Sequence, residues 1–313
     1  MSRPDISAVV LTYRRRKEVT RLLGALHRLD DPGLEIIVVD NGSDDGTAAA
    51  VAEQWPDVRL VALPENTGVA GRNRGIEQAR GDIVITLDDD MGAPDADALA
   101  LLRKRFAAEP DLAALCFRIT WPGSDRVRDW VHRPPPEVAA DTTFPTYEIA
   151  EGAVAWRAAA LREVGLFRED LFISHEGLDL SLRLWEAGWR VAYDGRLRVS
   201  HDQAAGGRLP WRRHYYDTRN LFWIATLHWP AGYGAAYLAR SLAAMAVYSL
   251  RDHCPGVWWR AVRDGLRAVP SLRRERRPLS PRTMARIREM DRRRPGFLRL
   301  AWRRLRRRGF SLD

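Results

Sequence analysis

The first 120 residues alternate between short apolar segments and amphipathic ones, and this alternation restricts the fold more than any other feature. Short runs rich in β-branched residues predict four strands, at residues 6–11, 34–39, 58–63 and 82–87. A helical segment is expected after each run, at residues 18–29, 47–54, 68–79 and 95–108. Four successive β–α repeats predict a doubly wound α/β fold with a parallel sheet.

The middle of the chain continues this alternation less regularly. Further strands are expected at residues 112–119, 150–156 and 189–193, and helices at 158–164 and 179–187. Residues 121–146 contain three consecutive prolines and no clear period, so they form either a mobile lid or a long surface loop.

An acidic triplet closes the fourth predicted strand. Its apolar run leads directly into Asp88, Asp89 and Asp90. Ligands of open α/β sheets bind just beyond the carboxyl ends of the strands. Three adjacent carboxylates repel one another there unless a positive group joins them, and a divalent cation bridging to phosphate oxygens would do so. The alternative is a solvated acidic turn, with Asp90 capping the helix that follows.

The charge of the chain is unevenly distributed. Residues 251–313 contain 20 arginines and six acidic residues, a formal charge of +14, so the other 250 residues carry −5 of the net +9. A basic tail on a mildly acidic body predicts binding to a polyanion, either nucleic acid or an anionic membrane surface, unless the tail is merely solvated. Cys116 and Cys254 are far apart in sequence and suggest neither a disulfide framework nor a zinc site, which favours a reducing compartment. No signal peptide is expected, because the first apolar run is too short.

A change in character near residue 210 predicts two regions, residues 1–209 and 210–313. Residues 221–239 carry no formal charge and approach transmembrane length, but Pro230 and two glycines interrupt them. We therefore expect helices packed on the body or lying in a membrane interface. Apolar residues of the tail alternate with arginines, which is typical of an interfacial amphipathic helix; these are Phe297, Leu298, Leu300, Trp302 and Leu305.

Six motifs, by their order and spacing, resemble the family 2 glycosyltransferases, inverting enzymes of the GT-A fold. The resemblance covers about residues 6–220 and is strongest to rhamnosyl- and galactofuranosyl-transferase-like members that build bacterial surface polysaccharides. The motifs are VVLTY (9–13), VVDNGSDDGT (38–47), ENTGVAGRNRG (65–75), LDDD (87–90), GAVAWR (152–157) and HEGLDLSLR (175–183). The resemblance implies a Rossmann-like doubly wound mixed sheet flanked by helices, followed here by a helical, basic C-terminal extension.

The same resemblance implies a nucleotide-sugar site. Asp40 matches the position that accepts a hydrogen bond from a uracil or thymine imide, and Thr12 and Tyr13 match the edge that contacts ribose and base. Arg72 and Asn73 flank a predicted helix N-terminus, where a guanidinium and backbone N–H groups favour phosphate. The alternatives are an Asx turn at Asp40 and an exposed surface helix around Arg72.

The triplet matches the family's Asp-x-Asp motif. By that resemblance Asp88 and Asp89 belong to the nucleotide-sugar site, with Asp88 facing the ribose. Asp90 would ligate Mg²⁺ or Mn²⁺ on the diphosphate, where the metal neutralises the charge that develops on the leaving group. His201 matches a further metal-ligand position, although a lone histidine is more often structural; an imidazole ligand would favour Mn²⁺.

The acidic motif at 175–183 implies the general base that an inverting transferase needs to deprotonate the acceptor hydroxyl. The family pattern places an acid followed by Asp, but the second place here is Gly177. Glu176 is therefore the expected base. Asp179 serves either in catalysis or as a helix cap paired with Arg183, and His175 is a lesser candidate at the acceptor side.

Aromatic and basic residues near these motifs have two possible roles each. Trp156 and Trp185 either form a platform for the acceptor sugar or pack in the core. Arg219 either reaches the diphosphate or pairs with Asp217.

Taken together, the sequence predicts a metal-dependent, inverting glycosyltransferase that uses a UDP- or dTDP-sugar and a glycan or lipid-linked acceptor. The basic C-terminal region would hold the protein on an anionic membrane surface, peripherally on the cytoplasmic face of the cell membrane, and nucleic acid is not the expected partner. Two alternatives stay open. A sugar-nucleotide nucleotidyltransferase would need a glycine-rich basic loop after the first strand, and residues 12–16 (TYRRR) are basic without glycine. A decayed transferase that binds polyanions stays open because of Gly177.

Overall fold

An eight-stranded mixed sheet forms the centre of the protein in the computed structural model, which describes residues 3–202 and 210–292. The strand order is β3-β2-β1-β4-β7-β5-β8-β6. The strands are β1 (Ile6–Thr12), β2 (Leu34–Asp40), β3 (Arg59–Ala62), β4 (Ile83–Asp88), β5 (Leu112–Thr120), β6 (Thr143–Pro145), β7 (Ala153–Arg157) and β8 (Arg190–Ser200).

Helices connect the strands and form the C-terminal region. Those of the N-terminal part are α1 (Arg16–His27), α2 (Thr47–Gln54), α3 (Arg72–Gln78), α4 (Ala96–Ala108), α5 (Pro136–Ala139), α6 (Ala158–Val164) and α7 (Glu176–Glu186). Those of the C-terminal part are α8 (Pro210–Leu227), α9 (Ala231–Arg251), α10 (Pro255–Glu275) and α11 (Pro281–Asp291).

The sheet is parallel only in part. Strands β1 to β4 pair in parallel, as the β–α repeats predict. Strand β7 then inserts between β4 and β5 and runs antiparallel to both, and β6 is antiparallel to β8. Beyond β4 the sheet is mixed, and apolar periodicity alone does not set the direction of these strands. The mixed sheet implied by the family resemblance is confirmed.

The pairing of β1 brings polar residues to one edge of the sheet. Thr12 pairs with Asp40 at the end of β2, and Leu11 pairs with Asp88 at the end of β4. Parallel strands end on the same side, so the ends of β1, β2 and β4 meet there.

Two apolar layers cover the two faces of the sheet. Helix α1 buries Val19, Leu22, Leu23 and Leu26 against one face, as its spacing predicts. On the other face, α7 packs Leu180 and Leu184 in a cluster that also includes Met284 and Ile287 of α11.

The C-terminal helices pack on one another and on this body. Pro230 separates α8 from α9, so the uncharged stretch 221–239 is divided between two helices. A Cβ at Gly265 of α10 would lie 2.2 Å from the Phe222 ring, so glycine permits the close approach of α8 and α10. Among the described residues, every helix is too short or too polar to cross a membrane. The amphipathic pattern at 297–305 lies outside the described residues.

The segment 121–146, for which the sequence predicts a mobile lid or a long surface loop, contains α5 and β6. Its Trp130 and His132 pack against Phe144 and Tyr193. Arg133 of the same segment forms an ion pair with Asp291 of α11, with 2.8 Å between Nε and Oδ1.

Candidate active site

The carboxyl edge of β1, β2 and β4 collects the residues expected to bind a nucleotide. Thr12 and Asp40 are buried there, and the Ser43 N–H donates to Asp40 Oδ1 over 3.2 Å. Asn41 holds the neighbouring loop, because its amide donates to Gly68 O over 2.7 Å and accepts from Thr67 N over 3.0 Å. Tyr13, directly after β1, is only partly buried.

Arg15 pairs with two acids of the triplet. Its Nη1 lies 2.9 Å from Asp89 Oδ1 and 2.7 Å from Asp90 Oδ2, and both carboxylates are buried. Burial raises the pKa of Asp89 to about 7; Arg15 opposes this rise and Asp90 adds to it. Arg15 was not predicted as a site residue, although its place directly after the first strand was a usable signal.

His201 lies on the other side of Asp90. Its Nε2 is 3.4 Å from Asp90 Oδ1, and its Nδ1 is hydrogen-bonded to Asp129. Burial disfavours the imidazolium, but Asp129 and Asp90 outweigh that effect and raise the pKa of His201 to about 9. An aspartate that orients the far nitrogen of a histidine is the usual support of a metal-binding imidazole.

The pair of Asp90 and His201 fits a divalent metal as a partial ligand set. A carboxylate oxygen and an imidazole nitrogen suit Mn²⁺, and the carboxylate suits Mg²⁺. Within residues 3–202 and 210–292, no three His, Cys, Asp or Glu side chains come close enough to hold a metal by themselves. The remaining ligands would therefore come from substrate or water.

Arg72 and Asn73 differ in what they contact. Arg72 is 2% exposed and forms an ion pair with Asp88, so it is not the exposed surface arginine of the alternative interpretation. Asn73 bridges the Phe167 backbone instead, donating to its carbonyl over 2.8 Å and accepting from its N–H over 3.1 Å. Its amide thus fastens α3 to the segment after α6.

The two acidic residues at the start of α7 are both buried, but their pKa values are shifted in opposite directions. Glu176 is 1% exposed, and burial together with the nearby Glu151 raises its pKa well above the usual range of glutamate. Asp179 accepts from Arg183 over 2.8 Å and from His228 Nε2 over 2.7 Å. These partners outweigh its burial and lower its pKa to about 2.

The loop before α7 is strained and is fastened by α8. Phe172, Ser174 and His175 all have positive φ, between 64° and 73°. The Asn220 amide lies within 3.0 Å of the carbonyls of Leu171, Ile173 and Ser174.

Arg219 contributes to the same fastening. It donates to the carbonyls of Asp170 and Leu171 over 2.6 and 2.9 Å. Neither expected role of Arg219, a diphosphate contact or a pair with Asp217, accounts for these bonds. Residues of α8 in the C-terminal part of the chain therefore hold the loop that precedes α7.

The expected acceptor platform is wrong for the tryptophans. Trp156 is 1% exposed and donates to Thr86 Oγ1 over 3.0 Å, and Trp185 is 4% exposed and donates to Thr146 O. Both belong to the core, so neither ring can stack on a sugar. Their apolar faces serve packing, which is the more frequent role of aromatic residues.

Glu151 is a residue that the sequence analysis did not single out. It lies in the turn before β7, partly exposed, and its Oε1 accepts from Gly177 N over 2.8 Å. Arg72, Asp88 and Asp217 are its charged neighbours. A single acid outside the six motifs gave no signal, because only the fold brings it to Gly177.

Comparison with known proteins assigns the chain to a family. Residues 7–165 match the model of "Glycosyl transferase family 2", about half of the chain. An N-acetylglucosaminyl-diphospho-decaprenol L-rhamnosyltransferase from Mycobacterium tuberculosis is 25% identical over 87% of this chain and 95% of its own length. The succinoglycan biosynthesis protein ExoO of Rhizobium meliloti is 40% identical over 95 residues, which are 29% of this chain but only 27% of that protein.

Solved structures agree on the fold. Residues 1–349 of TarS from S. aureus, in complex with UDP-GlcNAc, superpose with a TM-score of 0.60 at 19% identity, over 99% of this chain and 94% of that one. The mannosyltransferase PcManGT from Pyrobaculum calidifontis, in complex with GDP-Man and Mn²⁺, gives 0.54 at 19% identity, over 86% and 88%. The GT-A fold expected from the motifs is thereby confirmed.

Proposed function

Because the chain belongs to glycosyl transferase family 2, we propose that it transfers a sugar from a UDP- or dTDP-sugar to a hydroxyl group of a glycan or lipid-linked acceptor, with inversion. The observation that carries this proposal is the meeting of Asp40, Asp88 and the Asp90–His201 pair at one edge of the sheet. The similar rhamnosyltransferase, named for a diphospho-decaprenol substrate, supports the lipid-linked acceptor. The UDP-GlcNAc complex of TarS supports a uridine nucleotide.

The residues of this edge would divide the donor among them. Asp40 would accept from the imide N–H of the base, with Thr12 and Tyr13 beside it, while Asp88 and Asp89 face the ribose side. Arg72 lies at the start of α3 and keeps positive charge close to where the diphosphate would lie.

Asp90 and His201 would hold Mg²⁺ or Mn²⁺, which supplies positive charge to the leaving diphosphate. The Mn²⁺ complex of PcManGT supports this choice. Asp129 would keep His201 in the ligating orientation, and Arg15 would hold the carboxylates in place while no metal is bound. Residues 1–209 would carry all these groups and form the catalytic domain.

A screen of nucleotide release tests this function. The protein is incubated with a panel of UDP- and dTDP-sugars, with Mn²⁺, Mg²⁺ or EDTA. We expect metal-dependent release of UDP or dTDP, and Asp90→Asn should lower it by on the order of 10²-fold, because charge stabilisation at the leaving group is lost. Asp82→Asn, an exposed acid at the start of β4, is the control. Absence of release and of nucleotide binding across the panel would refute the proposal.

The C-terminal region, residues 210–313, would attach the protein to an anionic membrane surface. Helix α10 exposes Trp259 and Leu266 on the same face as Arg263 and Arg267. Apolar side chains beside arginines on one helix face suit the headgroup region of a bilayer. Trp211, Val247 and Leu250 are further exposed apolar residues of α8 and α9.

A further inference from the structure

The Glu151 side chain occupies the space beside Gly177. A Cβ at Gly177 would lie 2.7 Å from Glu151 Cγ and 2.8 Å from Glu151 Oε1. The backbone gives no reason of its own for a glycine here, since Gly177 is absent from the residues with positive φ and lies in the first turn of α7. The glutamate side chain therefore occupies the volume that a side chain at position 177 would fill.

The fold directs Glu151 to the donor edge. It lies two residues before β7, whose Ala153 pairs with Leu87 of β4. The Asp88 N–H donates to Gly152 O over 2.9 Å, so the turn that carries Glu151 lies against the end of the acidic strand. Glu151 thus stands between the acids of β4 and the start of α7.

The two acids at the start of α7 are poorly placed to accept a proton from a substrate. Both oxygens of Asp179 are bound, one by Arg183 and one by His228, and its low pKa makes it a weak base. Glu176 is 1% exposed, and burial together with the nearby Glu151 raises its pKa well above the usual range of glutamate. An acid with almost no exposed surface cannot reach an acceptor hydroxyl to take its proton.

Glu151 is both accessible to a substrate and able to accept a proton. It is partly exposed, and within the described ranges 3–202 and 210–292 its one side-chain hydrogen bond joins Oε1 to the Gly177 N–H. Burial raises its pKa to about 7; the Gly177 N–H and Arg72 oppose this rise, while Asp88 and Asp217 add to it. A base with a pKa near the working pH transfers protons most efficiently.

We propose that Glu151, rather than Glu176, is the general base that deprotonates the acceptor hydroxyl, in the place that Gly177 leaves open. This assignment rests on the transferase function proposed above. The carboxylate takes the hydroxyl proton while the hydroxyl oxygen forms a bond to the anomeric carbon. The bond from that carbon to the diphosphate oxygen breaks, and its electron pair leaves with the nucleoside diphosphate. The products are the glycoside, the nucleoside diphosphate and a protonated Glu151.

Glu151→Gln separates a catalytic role from a structural one. The amide oxygen can still accept from the Gly177 N–H, so a residue that only caps α7 would tolerate the change, whereas a base would not. We expect kcat of nucleotide release to fall by about 10²–10⁴-fold, with binding of UDP or dTDP and the melting temperature close to wild type. Glu176→Gln should cost far less. Glu148→Gln, on the same loop but paired with Arg133, is the control.

A second variant tests whether a carboxylate at position 177 can replace that of Glu151. The change Gly177→Asp in a Glu151→Ala background should recover at least tenfold of the activity that Glu151→Ala loses, because the space is then free and Asp favours a helix N-terminus. A Glu151→Gln variant that keeps wild-type kcat would overturn the assignment while leaving the transferase function intact. Failure of the wild-type protein to bind or release any nucleotide would instead overturn the proposed function.

Discussion

Arg15 holds a positive charge against the two buried acids of the triplet. Asp89 and Asp90 share its Nη1 at 2.9 and 2.7 Å, with the Arg15 side chain 20% exposed. Removing one partner of such a buried ion pair typically costs about 3–5 kcal/mol. A bound cation and Arg15 would therefore act on the same carboxylates.

We expect Arg15→Gln to lower the melting temperature of the metal-free protein and to increase the stabilisation gained from MnCl₂. The reason is that Mn²⁺ replaces the missing positive charge in the variant, whereas wild type already has it. Thermal melting with and without MnCl₂ measures both effects, and Arg16→Gln, an exposed neighbour, is the control. Equal MnCl₂ shifts in wild type and Arg15→Gln would contradict this role.

The pH dependence of activity follows from Glu151. A base acts only when deprotonated, so a raised pKa moves the acid limb of kcat/KM from the usual glutamate range near ~4.3 towards neutral pH, and the rate should rise through about pH 7. In Glu151→Gln the small remaining rate should lack this limb. Asp89 also has a raised pKa, so a limb that persists unchanged in Glu151→Gln would belong to Asp89 and contradict the prediction.

Single-residue environments were the least predictable part of the site from sequence. Asp40, Asp88 and Asp90 could be found because each stands at the end of a predicted strand within a recognisable motif, and His201 because it matches a metal-ligand position of the family. Glu151 could not be found, since its place in the site depends on the space left by the absent side chain of Gly177. The burial of Trp156 depends on which face of β7 other elements cover, and strand periodicity does not show that.

At the scale of elements, α7 and α8 are joined by a buried acid. Asp179 near the start of α7 bonds to His228 just beyond the end of α8 and to Arg183 one turn along its own helix. Asn220 adds bonds from α8 to the strained loop before α7. The catalytic region and the C-terminal helices therefore share one network of polar contacts.

Asp179→Asn should lower the free energy of unfolding at pH 7 by about 3 kcal/mol, because a buried pair loses its charge. The folded-state pKa of Asp179, about 2, lies below the ordinary value. Its stabilisation is therefore complete above about pH 4 and is lost as the pH falls towards 2. Urea unfolding of wild type and variant at several pH values checks this.

The matched control is Asp57→Asn. It also removes an aspartate paired with a histidine, His27, but at a largely exposed site. Exposed pairs contribute about 0–1 kcal/mol. A loss in Asp179→Asn as small as that in Asp57→Asn would contradict the proposed link between α7 and α8.

Element prediction succeeded where local patterning decides the outcome. The predicted bounds of α2 and α6 agree with the structure, and β1 and β2 each extend one residue further. It failed where long-range pairing decides: β7 runs antiparallel between two strands, and a short 3-10 turn at Gly68–Gly71 precedes α3. Apolar periodicity carries no information on strand direction.

For the whole molecule, the exposed face of α10 should determine membrane binding. Trp259→Glu with Leu266→Glu should reduce binding to vesicles containing phosphatidylglycerol by about tenfold or more, because two apolar side chains no longer enter the bilayer. Vesicle sedimentation measures this, and binding should weaken with added salt.

The control for this surface is Val138→Glu, which changes an exposed apolar residue of α5. It should bind vesicles as wild type does. If the α10 double variant binds as tightly as Val138→Glu, the membrane-facing role of α10 is wrong. Nucleotide release in solution should be similar in all three proteins.

The packing of Glu151 against Gly177 also couples the substitutions that these two positions would tolerate. An aspartate at 177 would collide with Glu151 in this protein, yet it would be beneficial beside an alanine at 151. Whether an aspartate at position 177 is harmful or beneficial thus depends on the residue at position 151, although 26 positions separate the two. Relatives should exchange the carboxylate between the two positions in paired steps, and a search for the acid at one position alone would discard active members.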